Sequence, residues 1–364
     1  MKRRAFLAAN AAAVGMSFAG CVTYGGEPHE RLKWTTDLGA SPDSLDSLGL
    51  TYSSGTIAAR SSNRLFGIDR SGELLWEALE HSSGAFGIKD GFLGIDWPGY
   101  HPQNDKNEAV LKRLSPGGDT LWTAGRYVLQ DLVVGSDRLF VLRELDSELL
   151  ITACSLDDGA ELWTIPVDSS TRFTRLSRNH VVAAGDDIVA YNRASGEKVW
   201  SAEPFDRYFP PAIDGTRIYL TSEEAPYRVL VVDETTGQTV NRYEVGSEMR
   251  PTGPLMVHDK VGIGTAYDGD KNPFFAVEPA TGDVRWWTTP EDEMEIADSP
   301  RVAGARLGET IFLFDFKSIL HAIDTADGSE QWSFDVEKNY PVVGAGRDTV
   351  YVLADATMYA LDAS

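Results

Sequence analysis

Apolar and polar positions alternate along this chain in short runs, and each run ends the same way. A short polar residue comes first, a glycine follows three or four places on, and an aromatic stands four places after the glycine. The runs Leu65-Phe66-Gly67-Ile68 and Val229-Leu230-Val231-Val232 carry the alternation, which predicts strands with one face buried. The polar positions are Asp69, Ser115, Ser155, Asn192, Asp233, Glu278, Asp324 and Asp362. The aromatic is Trp76, Trp122, Trp163, Trp200, Trp286 or Trp332, and Asn241 replaces it in one copy. The copy that starts at Asp362 never reaches its glycine; its missing end is Trp34, at the other terminus.

Successive frame ends from Trp34 to Trp332 lie 37 to 46 residues apart. A period of about 40–45 residues with strand patterning predicts a β-propeller, one four-stranded antiparallel blade per repeat. Counting the split copy gives an eight-bladed ring spanning 31–364, closed by pairing residues near Met358–Leu361 with the strand carrying Arg31–Thr36. All but Glu278 of the polar residues carry a short side chain that can accept backbone N–H groups across a tight turn, and the glycines supply the positive φ such a turn needs. Each tryptophan falls early in an outer strand, where a buried ring packs the blade. The junction at Asn241 is therefore expected to be the weakest.

The frame A-x-D-x-x-T-G-x-x-x-W resembles the tryptophan-docking repeat of PQQ-like (quinoprotein-type) propellers, in register from Arg31 to Ser364. Five frame tryptophans precede Ser or Thr and none precedes Asp, unlike the Trp-Asp signature of WD40 blades. The resemblance implies that Trp34, Trp76, Trp122, Trp163, Trp200, Trp286 and Trp332 dock neighbouring blades. Some members of this group are PQQ-dependent dehydrogenases; others resemble the assembly-factor lipoproteins of bacterial outer membranes.

Residues 1–20 read as an export leader. Arg3-Arg4 ahead of Phe6-Leu7 resembles the twin-arginine route, and Phe18-Ala19-Gly20-Cys21 resembles a lipobox in which Cys21 takes the lipid. Residues 21–30 then form a tether, placing the protein outside the cytoplasm on the outer face of the cytoplasmic membrane. No other stretch approaches the length of a membrane-spanning helix. The chain has 33 basic and 55 acidic residues; losing Lys2, Arg3 and Arg4 takes the net charge from −22 to −25. That balance argues against nucleic acid as a partner. Acid excess with only ten lysines resembles proteins of salt-loving organisms, so a halophilic archaeal source is the expectation. Cys154, left without a partner once Cys21 is lipidated, reads as a buried structural thiol.

The six histidines are scattered, and no zinc-protease, phosphate-loop or nucleophile-elbow motif is present. Asp268, Asp270 and Asn272 alternate like the start of a calcium loop, but Pro273 stands where the turn glycine belongs, so calcium is a weak expectation. A better place for binding is the mouth of the channel. The family's geometry implies that the segment after each Trp strand crosses to the next blade there. These crossings carry Arg126, Arg172, Tyr208, Arg250 and Tyr340, residue types common at binding hot spots. The expected function is a non-enzymatic, surface-anchored monomeric scaffold that binds a protein, peptide or small ligand on one face. The alternative is a small PQQ-dependent dehydrogenase with PQQ and calcium in the channel, against which the short chain and missing Cys-Cys pair count.

Overall fold

Antiparallel sheets make up all the regular structure of the computed structural model among its described residues. These are 30–364 apart from 40–48, 62–63, 80–81, 98–107, 203–207, 224–226, 245–249, 252–255, 259–260, 268–272, 289–303, 316–317 and 337–340. Four-stranded sheets run in chain order from Gly49–Ser53 to Leu74–Ala78, from Phe173–Leu176 to Lys198–Ala202, from Ala212–Ile213 to Thr239–Glu244, and from Gly304–Leu307 to Glu330–Asp335. A seven-stranded sheet joins two such units, because the 15-residue strand Thr120–Val134 is the last of one and the first of the next. Its Thr120–Tyr127 part pairs with Ala109–Leu114 and its Val128–Val134 part with Arg138–Leu145. Another sheet runs from Arg250–Pro251 and Met256–His258, both on Val261–Tyr267, to Val284–Thr288.

The last sheet mixes the termini. Leu32–Asp37 pairs with Thr357–Asp362, Trp34 opposite Ala360 and Thr36 opposite Met358. The first strands of successive units stand side by side, and Val342–Gly346 of the last sheet lies against both Gly304–Leu307 and Gly49–Ser53. The alternation in the third strands did not mean half-burial. Arg64–Ile68 is buried beyond its first residue, and Arg228–Asp233 is buried between its ends, because each sheet has a neighbour on both faces. The fourth strands keep the one-sided pattern, as in Glu161–Pro166.

The repeat frame is a clamp between adjacent sheets. The indole N–H groups of Trp34, Trp76, Trp122, Trp163, Trp200 and Trp286 donate to the carbonyls of Arg70, Pro116, Leu156, Arg193, Glu234 and Thr325 at 2.8–3.2 Å. Each acceptor directly follows the short polar residue of the next unit. That residue ties its own turn, as Asp69 does by accepting from the N–H groups of Ser71 and Glu73 at 2.8 and 2.9 Å. The glycine completes the seat: at Gly237 φ is +72°, and a Cβ would lie 2.6 Å from the Trp200 ring. Glu278 fits the frame differently. Its carboxylate pairs with Arg285 at 2.6 Å, and its turn is closed by the backbone, Gly282 N–H donating to its carbonyl at 2.8 Å.

Candidate functional site

Antiparallel topology gives the assembly two unlike ends. Turns joining first to second and third to fourth strands lie at one end, here the turn face. The crossings between units and the turns joining second to third strands lie at the other, the crossing face. Hydrogen bonds tie the crossings to those turns: Arg172 N–H donates to the Ala184 carbonyl at 2.9 Å, and Tyr208 Oη to the Gly185 carbonyl at 2.5 Å.

The sequence-derived candidates divide on this face. Arg126 is exposed on the crossing within Thr120–Val134 and faces Glu108 at 3.8 Å. Arg172 is exposed where its crossing meets Phe173–Leu176, its guanidinium 5.8 Å from the centre of the Phe173 ring. Among the described residues it forms no ion pair. Tyr208 does not reach the mouth. Its side chain is 1% exposed and packs with Ile218 and Leu230, and burial pushes its phenol up to about 12. Tyr208 sits in the apolar cluster that residues of two adjacent sheets share, and that cluster draws the aromatic inward. The Arg250 backbone pairs opposite Tyr267 at the same end. Tyr340 lies outside the described residues, as do the calcium candidates Asp268, Asp270 and Asn272, the lipidation residue Cys21 and the export pair Arg3 and Arg4.

The arm that carries Arg172 is well braced. Asp168 accepts from Ser170 N–H at 2.8 Å, and Ser170 Oγ accepts from Asp186 N–H at 3.0 Å. On the neighbouring inner strand Asp131 accepts from Thr174 N–H at 2.6 Å and Thr174 Oγ1 at 3.0 Å, and stands 3.4 Å from Arg175. Arg175 also approaches Phe173 at 5.8 Å. Phe173 is therefore flanked by two guanidiniums, of which Arg175 is neutralised and Arg172 is available.

Two clusters escaped the sequence reading. His180 Nδ1 and the Ser177 hydroxyl converge on Glu234 Oε1 across two sheets, the imidazole at 2.6 Å. Both bonds end on one buried carboxylate oxygen, so the group works as a clamp between the two sheets. His321 sits between Glu330 at 2.7 Å and Asp315 at 3.4 Å. The signal for the first was Glu234, the one carboxylate at a frame position held elsewhere by Arg70, Pro116, Leu156, Arg193, Pro279, Thr325 and Ala363. Cys154 is buried, and burial pushes its thiol up to about 11, which suits an inert packing residue.

The family profile described as outer membrane protein assembly factor BamB matches residues 107–262 and 227–364. The chain belongs to this family. Similar solved structures include BamB from Moraxella catarrhalis, at 17% identity and a TM-score of 0.63, covering 91% of this chain and 99% of that one. The computationally designed Ika8 protein gives 14% and 0.69, over 91% and 99%. The quinohemoprotein alcohol dehydrogenase ADHIIG from Pseudomonas putida HK5 gives 12% and 0.60, over 91% and 76%. At these identities the likeness establishes the PQQ-like β-propeller fold. No curated protein matches the chain by sequence. The fold is shared by the assembly factor and the dehydrogenase.

Proposed function

We propose that this protein is a non-enzymatic scaffold, an eight-bladed ring closed by its N-terminal strand, that holds a protein or peptide partner on the crossing face. Arg172 carries the reading. In an acidic chain, an arginine that merely balanced local charge would pair with a carboxylate, as Arg126 does with Glu108. Arg172 instead stands exposed beside an aromatic on a braced arm. An arginine available above an aromatic platform suits a carboxylate or backbone carbonyl of a partner. The leader read from residues 1–20, with Cys21 as lipid anchor, supports a position on the outer face of the cytoplasmic membrane, and the family is described as an outer membrane protein assembly factor.

Crosslinking followed by pull-down tests the reading. Arg172→Ala should abolish partner capture and leave the melting temperature nearly unchanged, because an exposed rim side chain contributes little to the core. Intact capture with lowered stability would reject it. The dehydrogenase reading rests on the shared fold and makes a separate demand: a PQQ absorption band that persists after reconstitution with PQQ and calcium and removal of unbound cofactor.

A further inference from the structure

The opposite end of the assembly is open at its centre. An open concavity of about 800 Å3 lies among the turns of four successive units on the turn face. Tyr52, Ile88, Val134 and Leu176 give it apolar walls, while Lys89 adds positive charge to its lining and Arg193 lines it already paired with Asp137. Ser54 and Ser136 offer hydroxyls between them.

The charge here opposes that of the whole chain. Lys89 is exposed at its turn and makes no hydrogen bond or ion pair among the described residues. Arg178 is exposed on the adjoining turn, where its carbonyl accepts from Arg193 Nη1 at 3.1 Å. Arg70 stacks on Tyr52, its guanidinium 5.4 Å from the ring. The acids nearby are fewer: Asp90 lines the site, Asp348 acts on Arg70, and Asp137 is already held by Arg138 at 2.9 Å and Arg193 at 3.5 Å. A net positive rim in a chain of net charge −22 is a local exception to the prevailing field.

We infer that this concavity binds an extended peptide segment of a partner protein in which acidic residues alternate with an apolar anchor. The walls accommodate the apolar side chain, and the exposed Lys89 and Arg178 at the rim meet the carboxylates on either side of it. The framework is pre-formed, since Ser53 Oγ donates to the Ile88 carbonyl at 2.6 Å and accepts from Gly91 N–H at 3.1 Å, linking two of the turns. A compact polyanion fits less well, because the walls between the cations are apolar. This site is separate from the Arg172 face and does not depend on it.

Fluorescence anisotropy with a fluorescein-labelled Glu-Leu-Glu-Leu-Glu peptide tests the inference on the full chain. The peptide should bind, and the Lys-Leu-Lys-Leu-Lys and Glu-Ser-Glu-Ser-Glu counterparts should not. Lys89→Glu, at a side chain without partners, should weaken binding by about tenfold with the melting temperature unchanged, as expected when an attractive rim charge becomes repulsive. Arg172→Glu should leave binding intact, which separates this site from the crossing face. No binding of the Glu-Leu peptide, equal binding of all three peptides, or insensitivity to Lys89→Glu would overturn the inference. Binding confined to phosphatidylglycerol vesicles would also overturn it, showing a lipid surface in place of a peptide.

Discussion

Tyr243 lies so close against Gly282 that a Cβ on that glycine would come within 2.3 Å of its ring. Elsewhere a tryptophan occupies that seat, as Trp286 does over Gly328 and Trp200 over Gly237. Here the frame position is Asn241, and the indole's work is divided. Asn241 Nδ2 donates to the Ala280 carbonyl at 2.8 Å, and Tyr243, two residues on, supplies the ring and donates from its hydroxyl to the Pro279 carbonyl at 3.2 Å. The ladder partner changes size as well: Trp163, Trp200, Trp286 and Trp332 each face an alanine, whereas Asn241 faces Val231.

The junction expected to be weakest is thus a rebuilt one. Asn241→Ala should cost about 1 kcal/mol, the worth of one hydrogen bond. Tyr243→Ala should cost more, about 2–3 kcal/mol, through lost ring packing. Urea unfolding of the two variants checks this; an Asn241→Ala loss as large as that of Tyr243→Ala would show that the ring does not carry the junction.

Gly237→Ala should destabilise by about 1–3 kcal/mol, because its positive φ and the Trp200 ring both exclude a Cβ. Combining it with Trp200→Leu removes the ring and should make the two losses less than additive. Strict additivity in a double-mutant cycle would mean that φ alone demands the glycine.

His321 predicts a pH dependence. Burial lowers its pKa, but the flanking Asp315 and Glu330 carboxylates more than reverse this and raise it above its ordinary 6.5. The folded state thus favours the imidazolium, so the associated stability is fully present below pH 6.5 and lost as pH rises through the folded value. Thermal melts of wild type and His321→Gln across that interval should converge as pH increases. A gap that stays constant would show that the imidazole stays in one charge state.

Removing residues 1–39 should destabilise the assembly. The Thr357–Asp362 edge loses its pairing with Leu32–Asp37, and the Trp34 bond to Arg70 goes with it. A truncated protein that melts with its parent at matched salt would refute this role for the first strand.

A net charge of −22 ties stability to ionic strength. The Debye length grows from about 3 Å at 1 M salt to about 10 Å at 0.1 M, so carboxylate repulsion then reaches between sheets. The melting temperature should fall as potassium chloride is withdrawn; a flat profile would remove charge repulsion as the reason.

Local rules made the repeat legible. A turn with Asp69 and Gly72, a strand before it and Trp76 after it depend on neighbours within a few residues, and their recurrence announced a propeller repeat before any contact was known. The pairing of the N-terminal strand with residues near Met358–Leu361 was legible too, because a frame broken between the termini is completed by them. Burial on both faces of Arg64–Ile68 was not, since alternation records the residue types on a strand but not what stands on its far side. Nor was the role of Tyr243, whose meaning comes from the size of Val231 opposite Asn241 and from Gly282 on the next sheet. The site residues were the least legible. Arg126, Arg172 and Tyr208 look alike as crossing residues, but one has a carboxylate partner, one stands exposed over a ring and one is buried. Side-chain direction and the charges around it are set by packing between segments far apart in the chain, and only the tertiary structure brings those segments together.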